Sequence, residues 1–336
     1  MLALQVEAPR RFELMEVADP LLEEGEVLIE VGACGICGTD LHIIDGDYHG
    51  SYPIIPGHEM AGTVVDANDV THLSEGDRVA VNPNIYCDTC RPCLRGMPHL
   101  CETANAVGVT RPGGFAQLCA VPAEKCLPLP EGVSLRDAAL MEPISCCLHG
   151  LEVLSPRPGD RVAILGGGTV GLIMTQLVRL SGAARVVVSE PDAGKRALVE
   201  RMGADRTVDP SAGDAREAII EALGGPADFA LEAAGLAETA VLAPEIVGPG
   251  GRVLQFGVCP EGTEVPVHPR RIFRDEITIA GAYTNPFTDE RALALLAGGR
   301  IETGPLVSDE FPLADAEAAI SRARQADSLK VNLRPG

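Results

Sequence analysis

A chain of 336 residues is too long for one ordinary core and predicts about two domains. Its 27 basic residues against 48 acidic ones leave a net charge of −21, which excludes a nucleic-acid binder, because that affinity is carried by Lys and Arg on phosphates. No apolar run approaches the ~18 residues that span a bilayer, and the opening MLALQVEAPRRFELMEV lacks the charged-then-apolar layout of a secretion signal. With 11 cysteines suited to a reducing compartment, the expectation is a cytoplasmic protein with no membrane partner.

Up to about residue 140 the sequence is rich in Gly, Pro and short β-branched runs. Val27–Val31, Gly62–Val65 and Arg78–Val81 read as short strands of an irregular β domain. Two polar motifs interrupt it: GICGTDLH (Gly35–His42) and PGHEMAG (Pro56–Gly62). Cys37 and His58 are each good zinc ligands, although a single Cys is usually a small buried hydrophobe and a single His a satisfied core residue. With the acids Glu59 and Glu142 they form a candidate Cys/His/carboxylate set. Three protein ligands leave a fourth position for water or substrate, as catalytic zinc requires.

The stretch CDTCRPCLRGMPHLC follows, placing Cys87, Cys90, Cys93 and Cys101 at spacing C-x2-C-x2-C-x7-C. Four thiolates this close close the coordination sphere of one structural zinc; the alternative of two disulfides is disfavoured in a reducing compartment. The lobe 87–101 is therefore expected to be held by metal instead of by a core.

From about Arg161 the pattern alternates strand and helix. RVAILGGG is an apolar strand entering glycines, and Val170, Ile173, Met174 and Leu177 recur at helical spacing. Arg185–Ser189, Arg206–Asp209, Phe229–Glu232, Arg252–Gly257 and Ile277–Ala280 read as further strands; Ala193–Met202 and Asp214–Leu223 read as helices. This alternation predicts a doubly wound parallel α/β sheet. Gly166, Gly168 and Gly171 form G-x-G-x-x-G between a strand and a helix, with Glu190 ending the next strand. The first glycine permits the turn, the second a close pyrophosphate, the third close helix packing. A carboxylate at Glu190 accepts both ribose hydroxyls and repels a 2′-phosphate, so NAD is expected over NADP.

These motifs, in this order, resemble the zinc-dependent medium-chain alcohol and polyol dehydrogenases, in the branch of sorbitol and threonine dehydrogenases. The resemblance rests on GICGTDLH, GHE, the four-Cys lobe, ALMEPISCCLHG and AILGGGTVG, and spans essentially the full chain. It implies a GroES-like catalytic domain (1–143 with 284–336) and a Rossmann NAD-binding domain (144–283). It also implies two zinc ions, NAD, an alcohol or ketone substrate and a homodimer or homotetramer. Cys37, His58 and a glutamate, Glu59 or Glu142, would hold the catalytic zinc. Thr39 and His42 would relay the proton from the substrate alcohol, by way of the cofactor ribose, to solvent. Thr169, Val170, Glu190 and Lys195 would contact NAD, with Phe256, Gly257, Val258, Ala282, Tyr283 and Thr284 beside the nicotinamide.

The substrate positions depart from the sorbitol dehydrogenase pattern, reading Ile43, Thr284 and Asn285. Thr284 and Asn285 can still hydrogen-bond hydroxyls, which favours a sugar alcohol, cyclitol or aldonate. The competing enzyme reading is an L-threonine 3-dehydrogenase. A non-catalytic NAD-binding structural or sensor protein is the reading of another class, disfavoured because every proposed ligand and relay residue is present.

Overall fold

The structure is a computed structural model describing residues 1–48 and 51–336. The chain divides into two compact units, residues 1–145 with 285–336, and residues 146–284.

The first unit is built on a sheet whose centre is the long strand Glu26–Ile36. On one side it pairs antiparallel with Glu59–Asp66, bringing Gly35 opposite Glu59. On the other it pairs antiparallel with Lys330–Arg334, bringing Ile36 opposite Val331. Arg78–Val81 extends the sheet beyond Glu59–Asp66, and Val307–Pro312 extends it beyond Lys330–Arg334. The β-branched alternation of the central strand buries Val27, Ile29 and Val31 in one apolar core with Val64, Val79, Phe115 and Leu333. Fully burying side chains of this size contributes roughly 1.5–3 kcal/mol each. The 14-residue helix Met141–Leu154 begins in this unit.

The second unit is a six-stranded parallel sheet in the order Arg206–Val208, Arg185–Ser189, Arg161–Leu165, Ala227–Glu232, Val247–Gln255, Thr278–Gly281. The strands read as near-continuous apolar runs because helices cover both faces of such a sheet. Ala193–Arg201 starts on an Asp192 cap and Ala215–Leu223 on an Asp214 cap, each side chain accepting a backbone N–H three residues on. The strand order reverses between Arg161–Leu165 and Ala227–Glu232, so the crevice above their carboxyl ends is the place for a ligand.

Candidate metal centres and nucleotide site

The four-Cys lobe is a short excursion closed by the two-residue pairing of Asn84–Ile85 with Asn105–Ala106. It has no apolar core: Leu94 and Leu100 are exposed. Its four sulfurs all lie within 4.8 Å of one another. Tetrahedral zinc at its usual Zn–S length needs sulfurs about 3.8 Å apart, so the set fits a zinc ion. The Cys90 and Cys93 sulfurs stand 3.4 Å apart, well beyond a disulfide bond, and the cysteines are free. Backbone amides already serve the sulfurs: Cys90 N–H donates to Cys87 and Cys87 N–H to Cys101. Donation from Thr89 and Cys90 lowers the Cys87 thiol to about 5, favouring the thiolate a metal requires.

The second cluster assembles at three adjacent strand ends. Cys37 follows the central strand and caps the helix Gly38–Asp45; Glu59 opens the neighbouring strand and His58 immediately precedes it. Their ligand atoms lie within 4.8 Å of one another. His58 and Glu59 are buried. Asp40, wholly buried, accepts from Cys37 N–H at 2.8 Å and Gly57 N–H at 3.0 Å, and its Oδ1 lies 3.3 Å from His58 Nδ1. A carboxylate on Nδ1 fixes the ring and leaves Nε2 as the ligating nitrogen. Burial by itself would lower the His58 pKa, but Asp40 and then Cys37 hold it well above the ordinary value. A Cys/His/carboxylate set with His58 and Glu59 buried and Cys37 half-buried fits a catalytic zinc.

The opposite wall comes from the other strand neighbour. Lys330 is buried, with Nζ 2.7 Å from the Glu59 carboxylate and 3.2 Å from the carbonyl of Ile36. Burial would depress its pKa, but the Glu59 and Cys37 charges raise it above the usual lysine value. Gly35 makes the packing possible: a Cβ there would come within 2.2 Å of Glu59 Oε2. The sequence reading missed Lys330. The available signal was a lysine, one of three in the chain, on the polar face of the alternating run SLKVNL.

Of the two candidate glutamates, Glu59 joins this cluster. Glu142, also buried, sits in the first turn of the helix Met141–Leu154, outside that group, although its charge acts on Lys330. Thr39 Oγ1 lies 3.9 Å from the Cys37 sulfur, and His42 is three residues on, along the same helix face.

The structure corrects one of the substrate expectations. Ile43, unable to hydrogen-bond a hydroxyl, is fully buried in the apolar core. Asn285, also fully buried, donates to Asp289 at 2.7 Å and accepts from Asn84 at 2.6 Å. Its hydrogen-bonding capacity goes into a network in which Asp289 also accepts from Ser145 and Asn82. Burial raises the Asp289 pKa, and those three donors offset part of the shift. Thr284 keeps an unpartnered, buried hydroxyl, on a backbone at φ 52°.

The nucleotide motif has the geometry its glycines require. Gly166 has φ 111°; a Cβ on Gly171 would lie 2.0 Å from the Gly166 carbonyl oxygen, while Gly168 faces open space. Gly168 caps the helix Thr169–Leu180 without a side-chain bond, leaving amides free for a phosphate. Thr169 and Val170 open that helix. The Glu190 carboxylate is buried and accepts from Gly167 N–H at 2.8 Å and Asp192 N–H at 2.9 Å. These residues fit a dinucleotide. Lys195 lies in the first turn of the next helix, its backbone N–H bonded to Asp192. Phe256, Gly257 and Val258 follow the strand Val247–Gln255, and Ala282 and the exposed Tyr283 follow Thr278–Gly281.

Residues 23–131 match the family model for the alcohol dehydrogenase GroES-like domain, and residues 169–297 that for zinc-binding dehydrogenases. The chain is 35% identical to D-arabinitol dehydrogenase 1 of Uromyces fabae, over 100% of this chain and 97% of that protein. It is 32% identical to D-altritol 5-dehydrogenase of Agrobacterium fabrum, over 94% of each. A zinc-binding dehydrogenase of Sinorhizobium meliloti 1021, solved with NADP, superposes at a TM-score of 0.96 with 38% identity, over 99% of each chain. The chain belongs to the zinc-dependent medium-chain alcohol dehydrogenase family. It is an oxidoreductase of the GroES-like plus Rossmann architecture.

Proposed function

We propose that the protein oxidises a secondary hydroxyl of a polyol to a ketone, passing hydride to NAD. The observation that carries this reading is the convergent Cys37–His58–Glu59 cluster, in a chain that also has the glycine turn for a dinucleotide. Cys37, His58 and Glu59 would hold a zinc ion, which would supply a Lewis acid for the carbinol oxygen. Asp40 stands beside the His58 imidazole, and Lys330 Nζ holds the Glu59 carboxylate at 2.7 Å. The Thr39 hydroxyl both accepts and donates, so it takes the substrate proton and hands it toward His42. The four-Cys lobe holds a second, structural zinc.

Polyol specificity is supported by the arabinitol and altritol relatives. A buried carboxylate ending the second strand of the nucleotide unit, at Glu190, supports NAD over NADP, because such a group accepts ribose hydroxyls and would repel a 2′-phosphate. The edge strand Thr278–Gly281, with exposed Ile279, supports self-association into a dimer or tetramer. Among the described residues no helix is long and apolar enough to cross a membrane, and the free cysteines support a cytoplasmic setting.

The test is NADH absorbance with a panel of pentitols, hexitols, inositols, L-threonine and simple secondary alcohols. Turnover of polyols with NAD is expected. L-Threonine as the sole good substrate overturns the polyol reading, and faster turnover with NADP overturns the role of Glu190.

A further inference from the structure

Glu232 ends the strand Ala227–Glu232 as a fully buried carboxylate for which alcohol oxidation has no use. No Lys or Arg pairs with it among the described residues; N–H and O–H donors surround it instead. Oε1 accepts from Ala234 N–H at 2.8 Å, Gly235 N–H at 2.9 Å and Thr239 Oγ1 at 2.7 Å. Oε2 accepts from Gln255 Nε2 at 2.6 Å, and the same amide donates to the Gly257 carbonyl at 2.9 Å. The main-chain carbonyl of Glu232 accepts from Phe256 and Gly257 N–H. One residue therefore holds two loops, 233–236 and 256–258.

These loops continue the rim that starts at the glycine turn. A Cβ on Gly166 would lie 3.1 Å from Ala233 C and Ala234 N, and one on Gly235 would lie 2.6 Å from the Val258 carbonyl oxygen. A Cβ on Gly257 would lie 2.5 Å from Glu232 Oε2. A dinucleotide lies across the reversal in strand order, one half on each side. Glu190 marks the adenosine side, over Arg161–Leu165 and Arg185–Ser189. The loops held by Glu232 border the other side, over Ala227–Glu232 and Val247–Gln255.

We propose that Glu232 is a positioning residue for the nicotinamide half of the cofactor site. A carboxylate does this where an amide cannot, since every group facing it is a donor and it presents acceptors alone. The proposal rests on the dinucleotide reading above. In Glu232→Gln, an N–H replaces an acceptor, and three donors to Oε1 with one to Oε2 cannot all be kept.

The test is isothermal titration with NADH and with 5′-AMP, alongside melting temperature and zinc content. For Glu232→Gln the NADH dissociation constant should rise about tenfold while 5′-AMP affinity stays within about twofold of wild type. Wild-type affinity for NADH in this variant overturns the proposal, as does a parallel loss of NADH and 5′-AMP, which marks general loosening. A wild-type chain that binds no NADH overturns the dinucleotide reading itself and the proposal with it. Should Glu232→Gln not fold, Gln255→Leu removes the side-chain bridge from Glu232 Oε2 to the Gly257 carbonyl and leaves the main-chain bonds to Phe256 and Gly257 in place. It should weaken NADH about threefold with 5′-AMP unchanged, and an unchanged NADH affinity overturns the proposal.

Discussion

The four-Cys lobe and the Cys37–His58–Glu59 cluster gather candidate metal ligands by opposite means. In the lobe all four come from one short stretch with exposed leucines and no core, so a bound ion would supply the order. In the cluster the ligands sit at the ends of paired strands whose apolar faces are already buried, and Asp40 and Lys330 add fixed charges around them. The lobe should therefore depend on metal for its fold, whereas the cluster should keep its fold without metal and lose its chemistry.

The sharpest way to break that contrast is to remove one ligand from each. Cys37→Ser should abolish turnover and halve zinc content, as elemental analysis would read it, with a melting temperature close to wild type. Cys90→Ser should also lose one zinc of two, but with the lobe unravelled: the apparent binding free energy of such a site is ~10–16 kcal/mol and is here folding energy. Limited proteolysis should then cut between residues 87 and 101. Equal loss of stability in both variants would dissolve the distinction.

Lys330→Met tests whether the cluster's buried charges are balanced. Assayed in zinc-free protein, it leaves Glu59 as an uncompensated buried carboxylate, and denaturant unfolding should show a loss of about 3–5 kcal/mol. A variant as stable as wild type would mean that Glu59 has another partner. Asp40→Asn is expected to be milder, because the amide retains a similar shape. Zinc affinity or turnover should fall about 10–100-fold, read by competition with a chelator.

The smallest effect concerns the far end of the helix that carries Thr39 and His42. Asp45 there receives two hydrogen bonds from Arg324, which hold its carboxyl below the usual value. A depressed folded-state pKa contributes stability above the unfolded value and loses it as pH falls through the folded one. Arg324→Ala should cost at most about 1 kcal/mol at neutral pH, after solvent screening, and the difference from wild type should vanish in acid. A difference that persists in acid would assign the arginine a packing role instead.

Much of the second unit was legible in the sequence because its signals are local. Arg185–Ser189 is a strand with the bounds its apolar run implies, and Asp192 and Asp214 cap the helices that follow. Arg252–Gly257 was read too short at its start: the strand begins at Val247, where PGG masks its pattern. The central strand of the first unit was likewise underestimated. Val27–Val31 extends to Ile36 through GACG, a glycine-bearing stretch that reads as a turn.

The sequence by itself determined the ligand types, the four-thiol lobe and the glycine turn, since each is written within a few neighbouring residues whose chemistry allows little else. Only the tertiary structure decided that Glu59 joins Cys37 and His58, that Lys330 closes the cluster from a strand some 270 residues away, and that Asn285 serves Asp289. Those outcomes depend on strand register and burial: which carboxylate meets a cation, and which amide spends its hydrogen bonds inside the protein, is fixed by neighbours across the sheet that no local pattern encodes.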